Sequence, residues 1–292
     1  MTTFAASMAV IEDRFEQWGP SWAAVAEERW LQSYAAAVGD ASDDLLNLAR
    51  PGGIQAHPVF VACPEWPIVL AEYPAVDMPL DARRRGLHVQ HSIQHHAPIR
   101  VMDALETRAR LITAEMRSIG AFIEVEFETS TVAGERRATS VLSMLYPGVE
   151  LHGAHARGQQ RAVPEPAPID QIVGEFHVSR LNAPIYTECA RIWNPIHTDA
   201  RVAEEYGLPA PMLHGTEILA RAISILKNDH VGVDTASVTE LRCRFANMVL
   251  PGRSLIVRSS SVNREPKRWS VDFEVQIQGV GAAITSGRMS GS

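Results

Sequence analysis

Cysteine is scarce in this chain and follows no motif. The three cysteines, Cys63, Cys189 and Cys243, are odd in number and far apart, which argues against a disulfide framework or a zinc site. This usage is typical of reduced thiols in the cytoplasm. No apolar run is long enough to span a bilayer, and the N-terminus lacks a basic segment before its apolar part. We therefore expect a cytoplasmic protein without a membrane partner.

Positive charge is also in deficit. Lys and Arg total 27 against 34 Asp and Glu, so the formal net charge is −7 and a nucleic-acid partner is not expected. Glycine-rich nucleotide loops, a serine nucleophile elbow and a Cys–His nucleophile pattern are absent. The remaining composition, 46% hydrophobic and 21% charged, is that of an ordinary globular protein.

The chain contains an approximate internal duplication. Segment 95–105 parallels segment 245–255, and each is followed by runs that alternate between apolar and polar residues. Alternation of this kind predicts antiparallel strands after a helix-rich start in each half. The predicted strands are 105–111, 120–130 and 137–146 in the first half, and 255–262, 269–277 and 282–289 in the second.

The duplication also predicts the domain organisation. A chain of 292 residues suits two domains of about 150 residues each. We expect an N-terminal half at 1–150 and a C-terminal half at 169–292. Between them, 151–168 is rich in proline and glycine and is predicted to be a linker.

The most informative stretch runs from Tyr186 to His197 and is followed by His214 and Gly215. Asn194 precedes a proline, which fixes its own φ and pushes Asn194 out of the helical region, so the chain is expected to break there. Such a break can aim His197 into a cleft. Apolar residues then recur through 216–226 at helical spacing, which predicts a helix with one buried face.

These residues suit the addition of water to an activated double bond. That reaction needs a group that takes a proton from water, a proton donor for the α-carbon and a seat for the enolate oxygen. His197 can fill the first two roles, because the unperturbed pKa of histidine lies near operating pH. The unpaired N–H groups at the start of the following helix can seat the enolate oxygen, and Gly215 permits close approach.

The same residues resemble the signature of the MaoC-like, or (R)-specific enoyl-CoA hydratase, family: Tyr, a short helical run, Gly-Asp-x-Asn-Pro-x-His and a downstream His-Gly. The resemblance implies an α+β fold, a double hot dog in which two antiparallel sheets each wrap a long helix. It implies a catalytic C-terminal half that hydrates 2-enoyl, or dehydrates 3-hydroxyacyl, thioesters of CoA or a carrier protein, without a cofactor or metal. His197 would then move the protons, Asn194 would orient the water or substrate, and the Gly215 amide would hold the enolate oxygen.

The chain departs from this signature at one position, where Ile192 replaces the catalytic Asp of the family. One interpretation is a carboxylate borrowed from elsewhere: Asp40, which keeps a Gly-Asp pair in the first half, Glu217, or Glu188 as a weaker candidate. A second interpretation is a different acyl-thioester reaction, such as isomerisation or hydrolysis, that uses His197. A third is a non-catalytic protein that binds acyl thioesters.

Four further residues are candidate substrate contacts: Trp193, Tyr186, His214 and Arg244. The aromatic rings could line an acyl pocket or pack in the core, and the arginine could receive a CoA phosphate or be solvated. Histidines cluster at 88, 91, 95 and 96, but strand alternation would split them between two faces, so no metal site is expected. Pairing of sheet edges into a homodimer stays open.

Overall fold

We describe residues 5–71, 73–156 and 167–292 of a computed structural model. The α-helices are α1 (Glu28–Val38), α2 (Asp43–Leu46), α3 (Ala62–Leu70), α4 (Leu80–Arg83), α5 (Asn182–Ala190), α6 (Ala200–Glu205) and α7 (Gly215–Ile225). The strands are β1 (Ala6–Val10), β2 (Trp22–Val25), β3 (Val76–Asp77), β4 (Leu87–His95), β5 (Ala104–Arg117), β6 (Gly120–Thr131), β7 (Arg136–Pro147), β8 (Val149–His152), β9 (His155–Ala156), β10 (Gln171–His177), β11 (Val238–Phe245), β12 (Ser254–Ser259), β13 (Asn263–Glu265), β14 (Arg268–Ile277) and β15 (Gly281–Gly291).

One large sheet runs through both halves of the molecule. Its strand order is β10-β12-β14-β15-β11-β4-β7-β6-β5-β2, with β13 paired to β14 and β9 paired to β5. Antiparallel pairing of β11 with β4, from Glu240 opposite Gln94 to Arg244 opposite Gln90, joins the halves. The two sheets predicted from the sequence are therefore fused edge to edge, which pairs two edges that would otherwise be open. A second sheet, β3-β1-β8, lies in the first half.

The alternating runs form the predicted antiparallel strands. β5, β6 and β7 contain the three predicted strands of the first half, and β14 and β15 contain two of the second, while β12 overlaps the third. Burial alternates along most of these strands, as in the pattern of β12, because successive side chains point to opposite faces of a sheet. β4 ends at His95 and β11 at Phe245, so the strands that join the halves also follow the duplication.

Each half contains a buried helix that precedes its main strands: α3 in the first half and α7 in the second. In the second half, α7 buries most of its length, as the spacing of its apolar residues predicts, and it continues into a π-helical turn at Leu226–Val231. In the first half, α3 is two residues shorter than α7 and contains Pro67. The helix cores of the two halves are thus unequal, and the longer helix belongs to the half that carries the motif.

The two halves also meet through helices. α1 of the first half packs against α5 of the second, and the hydroxyl oxygens of Tyr34 and Tyr186 lie 3.4 Å apart in the buried contact. Both tyrosines are fully buried, and burial raises the pKa of each well above its usual value. The phenols therefore remain protonated hydrogen-bonding groups that hold one half against the other.

The segment between the halves is only partly described. β8 and β9 extend into the predicted linker as far as Ala156, and 157–166 lie outside the described residues. Within the described ranges, no helix is both long enough and apolar enough to cross a membrane.

Candidate active site

The chain breaks at Asn194, as predicted, and His197 follows on a short turn. α5 ends at Ala190, and the following Arg191 is left-handed. The Asn194 side chain then accepts a hydrogen bond from the Ile196 N–H at 3.3 Å and caps a short 3₁₀ turn at Pro195–His197. His197 is 7% exposed, and its Nδ1 donates to the Met212 carbonyl at 2.9 Å. That hydrogen bond fixes the tautomer, so Nε2 carries the free lone pair that a general base requires.

His214 stacks directly on His197. The ring centroids lie 3.6 Å apart with an interplanar angle of 28°. His214 is 2% exposed, its Nε2 lies 3.4 Å from the Thr187 hydroxyl oxygen, and its Nδ1 has no hydrogen-bond partner among the described residues. An unsatisfied buried nitrogen beside a candidate base is costly and is a feature that functional sites often retain.

Both histidines are held neutral. Burial lowers the pKa of His197 to about 4, although its bond to the Met212 carbonyl opposes the shift. Burial and the neighbouring His197 lower the pKa of His214 well below its usual value. At neutral pH the pair therefore offers a proton acceptor rather than a positive charge.

Gly215 begins α7 beside this pair. A Cβ atom at Gly215 would lie 3.0 Å from the ring of Phe245, so any larger residue would press on that ring. The first N–H groups of a helix have no partner within the helix, and they form a seat for negative charge. The site thus combines a neutral base with an anion seat, which is the combination that enolate chemistry needs.

Ile192 belongs to the core. Its side chain is 1% exposed and packs within the main apolar cluster, while its N–H donates to the Thr187 carbonyl at 3.1 Å. At this position an apolar side chain that packs in the core, rather than a carboxylate, precedes the turn.

The three candidate carboxylates have other partners. Asp40 accepts hydrogen bonds from Ser42 and Asn228, and its Oδ2 lies 3.6 Å from the Lys227 ammonium nitrogen. Glu217 is fully buried and accepts hydrogen bonds from Asn182 and Arg221. Glu188 is exposed. His197 is not among these partners. A catalytic role for any of the three carboxylates therefore stays a prediction.

The candidate substrate contacts divide into two groups. His214 lies in the site, and the Tyr186 ring is 5.0 Å from the His214 ring. Trp193 is 55% exposed on the turn before His197. Arg244 is exposed on β11, next to Phe245. The structure therefore brings His214 and Tyr186 to His197 and leaves Trp193 and Arg244 at the surface.

Sequence reasoning missed the contribution of His88 to this region. The expectation that alternation separates His88 from His91 is wrong, because a β-bulge between His88 and Gln90 brings the two rings to 5.2 Å. The His88 ring also packs edge-on against Phe245 at 4.7 Å. No cluster of three potential metal ligands occurs within the described residues. A contact between strands of different halves leaves no local signal in the sequence.

Two helix-and-sheet units fused edge to edge, with the motif in the second, define a double hot dog protein. Residues 173–281 match the family model described as MaoC like domain, so the predicted resemblance is confirmed for the second half of this chain. Enoyl-CoA hydratase 2, peroxisomal, of Arabidopsis thaliana is 27% identical over 184 residues. That alignment covers 58% of each chain, so this chain spans little more than half of the curated relative it matches.

Solved structures confirm the fold. A MaoC-like dehydratase from Phytophthora capsici superposes with a TM-score of 0.80 at 20% identity, covering 97% of each chain. A protein of Mycobacterium tuberculosis described as having a double hotdog fold superposes with a TM-score of 0.62 at 14% identity, again over 97% of each chain. At these identities the likeness concerns the fold, which extends over nearly the whole chain.

Proposed function

We propose that this protein catalyses the reversible hydration of a 2-enoyl thioester, carried by CoA or a carrier protein, to the 3-hydroxyacyl thioester. The observation that carries the proposal is the geometry at His197: its Nδ1 proton is committed to Met212, and its free Nε2 belongs to a neutral ring beside the start of α7. The MaoC-like domain and the similarity to an enoyl-CoA hydratase support the same class of reaction.

The steps follow from this geometry. Water gives a proton to His197 Nε2 as its oxygen bonds to C3 of the substrate, and the electron pair moves to the thioester oxygen. The Gly215 amide at the start of α7 holds that oxygen. Protonated His197 then returns a proton to C2, which leaves water added across the double bond. The product is expected to be the (R)-3-hydroxyacyl thioester, by resemblance to the family.

In this mechanism Asn194 orients the water or the substrate. Its side-chain oxygen is used in capping the turn, so its amide nitrogen remains as a donor toward water or substrate. Asp40 and Glu217 remain candidates for the borrowed carboxylate. If either serves, Asp40→Asn or Glu217→Gln should lower turnover as severely as His197→Ala, and unchanged rates in both would reject the idea.

A second candidate function rests on Ile192. Loss of an acid–base partner typically costs about 10²- to 10⁴-fold in rate. A buried isoleucine in place of the carboxylate therefore favours, as the alternative, another acyl-thioester reaction through His197 or the binding of thioesters without turnover.

The test is a spectrophotometric assay with short, medium and branched 2-enoyl-CoA thioesters. We expect loss of the enoyl absorbance with the native protein and no loss with His197→Ala at matched folding. Retained activity in the variant would reject His197 as the base. Thioester binding without turnover would favour the alternative, and mass spectrometry of the mixture would distinguish altered chemistry from simple binding.

A further inference from the structure

His88 is one side chain away from the proposed enolate seat, although it belongs to the other half of the chain. Its ring contacts the ring of Phe245 at a centroid distance of 4.7 Å, and the Phe245 ring in turn covers Gly215. The bulge in β4 produces this placement, because it turns His88 to the same face as the fully buried His91. Bulges next to functional sites commonly re-aim a side chain in this way.

The hydrogen bonding of His88 leaves one nitrogen to accept. Nε2 lies 3.1 Å from the Gln90 carbonyl oxygen, which can only accept, so Nε2 carries the proton and Nδ1 the lone pair. Burial, together with His91, lowers the pKa of His88 well below its usual value, so the ring stays neutral. A neutral imidazole with a free acceptor recognises an N–H or O–H group rather than an anion.

The duplication indicates that this position faces a cleft. The residue 150 positions after His88 is Val238, and Val238 lines a cavity of about 210 Å³ in the first half. The same cavity is lined by 95–99, which correspond to 245–249 at the same offset. A strand of the second half thus walls this cavity of the first half, and the duplication gives His88 the equivalent wall position on the side of His197.

We propose that His88 contacts the substrate, with Nδ1 accepting a hydrogen bond from the amide N–H of the thiol arm nearest the thioester sulfur. This inference rests on the proposed function. Gly215 holds the thioester oxygen, and the first amide of a pantetheine-like arm lies two methylenes beyond the sulfur. The distance from the thioester oxygen to that amide is comparable to the distance from Gly215 across the Phe245 ring to His88.

The test combines a substitution with a change in the substrate. The probes are the 2-butenoyl thioester of N-acetylcysteamine, which contains this amide, and the 2-butenoyl thioester of butanethiol, which lacks it. For the native protein we expect kcat/KM to favour the amide-containing probe by about three- to tenfold, the worth of one hydrogen bond between neutral groups. In His88→Phe, which keeps a ring against Phe245, the preference should fall to near one.

Each outcome has a separate meaning. If His88 only packs, His88→Phe would slow both probes equally and leave their ratio unchanged, which would overturn the inference. His96→Phe, the same substitution beyond the end of β4 at an exposed histidine, is the matched control and should keep the native ratio. Absence of hydration of every enoyl thioester by the native protein would instead overturn the proposed function itself.

Discussion

At the scale of single residues, Gly215 is the position in the candidate site where the close approach of a neighbouring ring limits substitution. A Cβ at this position meets the Phe245 ring at 3.0 Å, so Gly215→Ala must displace either the ring or the start of α7. We expect a loss of stability of about 1–3 kcal/mol, as for other overpacked sites, measured by urea unfolding. Turnover should fall by about 10²-fold or more, because the amide that we propose holds the enolate oxygen moves with the helix.

A second variant separates the clash from other effects of the methyl group. Gly215→Ala combined with Phe245→Leu removes the ring that the methyl meets, so it should recover much of the stability lost in Gly215→Ala alone. If the loss of unfolding free energy in the double variant equalled the sum of the losses in the two single variants, the contact with Phe245 would not be the cause.

The local motif was readable from the sequence, whereas its surroundings were not. Proline geometry alone predicts the break at Asn194, and the break does place His197 in a buried position. The stack of His214 on His197 depends on how α7 meets the turn across 17 residues of chain. The approach of His88 to Phe245 depends on a bulge and on strand pairing between halves. Neither contact has a signature in residue type or spacing.

At the scale of elements, the π-helical turn after α7 carries a buried positive charge that pairs with carboxylates of the first half. Lys227 on this turn is fully buried, and its ammonium nitrogen lies 3.6 Å from a carboxylate oxygen of Asp40 and 3.6 Å from one of Asp44. Burial alone would raise the pKa of Asp40, but the Lys227 charge and the hydrogen bonds from Ser42 and Asn228 outweigh it and lower this pKa below its usual value. The strand pattern could predict the sheet, but it could not predict this cluster, because the cluster spans 187 positions of chain between Asp40 and Lys227.

Removal of the lysine should therefore destabilise the junction between the halves. Lys227→Met leaves Asp40 and Asp44 buried without their cation, and breaking a buried ion pair from one side typically costs about 3–5 kcal/mol. Urea unfolding measures the loss. Lys267→Met, at an exposed lysine, is the control and should change stability by less than about 0.5 kcal/mol. Adding Asp40→Asn and Asp44→Asn to Lys227→Met should restore much of the loss, and no recovery would show that packing, rather than charge, decides the effect.

At the scale of the whole molecule, histidines from both halves are held in the neutral form. Burial lowers the pKa of His57 to about 3 and those of His95 and His197 to about 4, and it also lowers the pKa values of His88 and His214. These side chains come from both halves, and several lie where one half meets the other. Protonation of these histidines in the unfolded chain therefore favours unfolding. It opposes the packing of the whole junction between the two halves.

The sign of the resulting pH dependence is fixed by these shifts. Between about pH 6.5, where histidine titrates in the unfolded chain, and about pH 4, the unfolded state binds protons that the folded state does not bind. Stability contributed by the neutral rings is thus complete above pH 6.5 and is lost as the pH falls toward 4, by up to about 1.4 kcal/mol per pH unit for each histidine. Urea unfolding at pH 7, 6 and 5 should show this decline, and His197→Asn should make it shallower by one histidine's share. A free energy of unfolding that stays constant from pH 7 to 5 would mean that these histidines accept protons in the folded protein, and that His197 is not held as the neutral base.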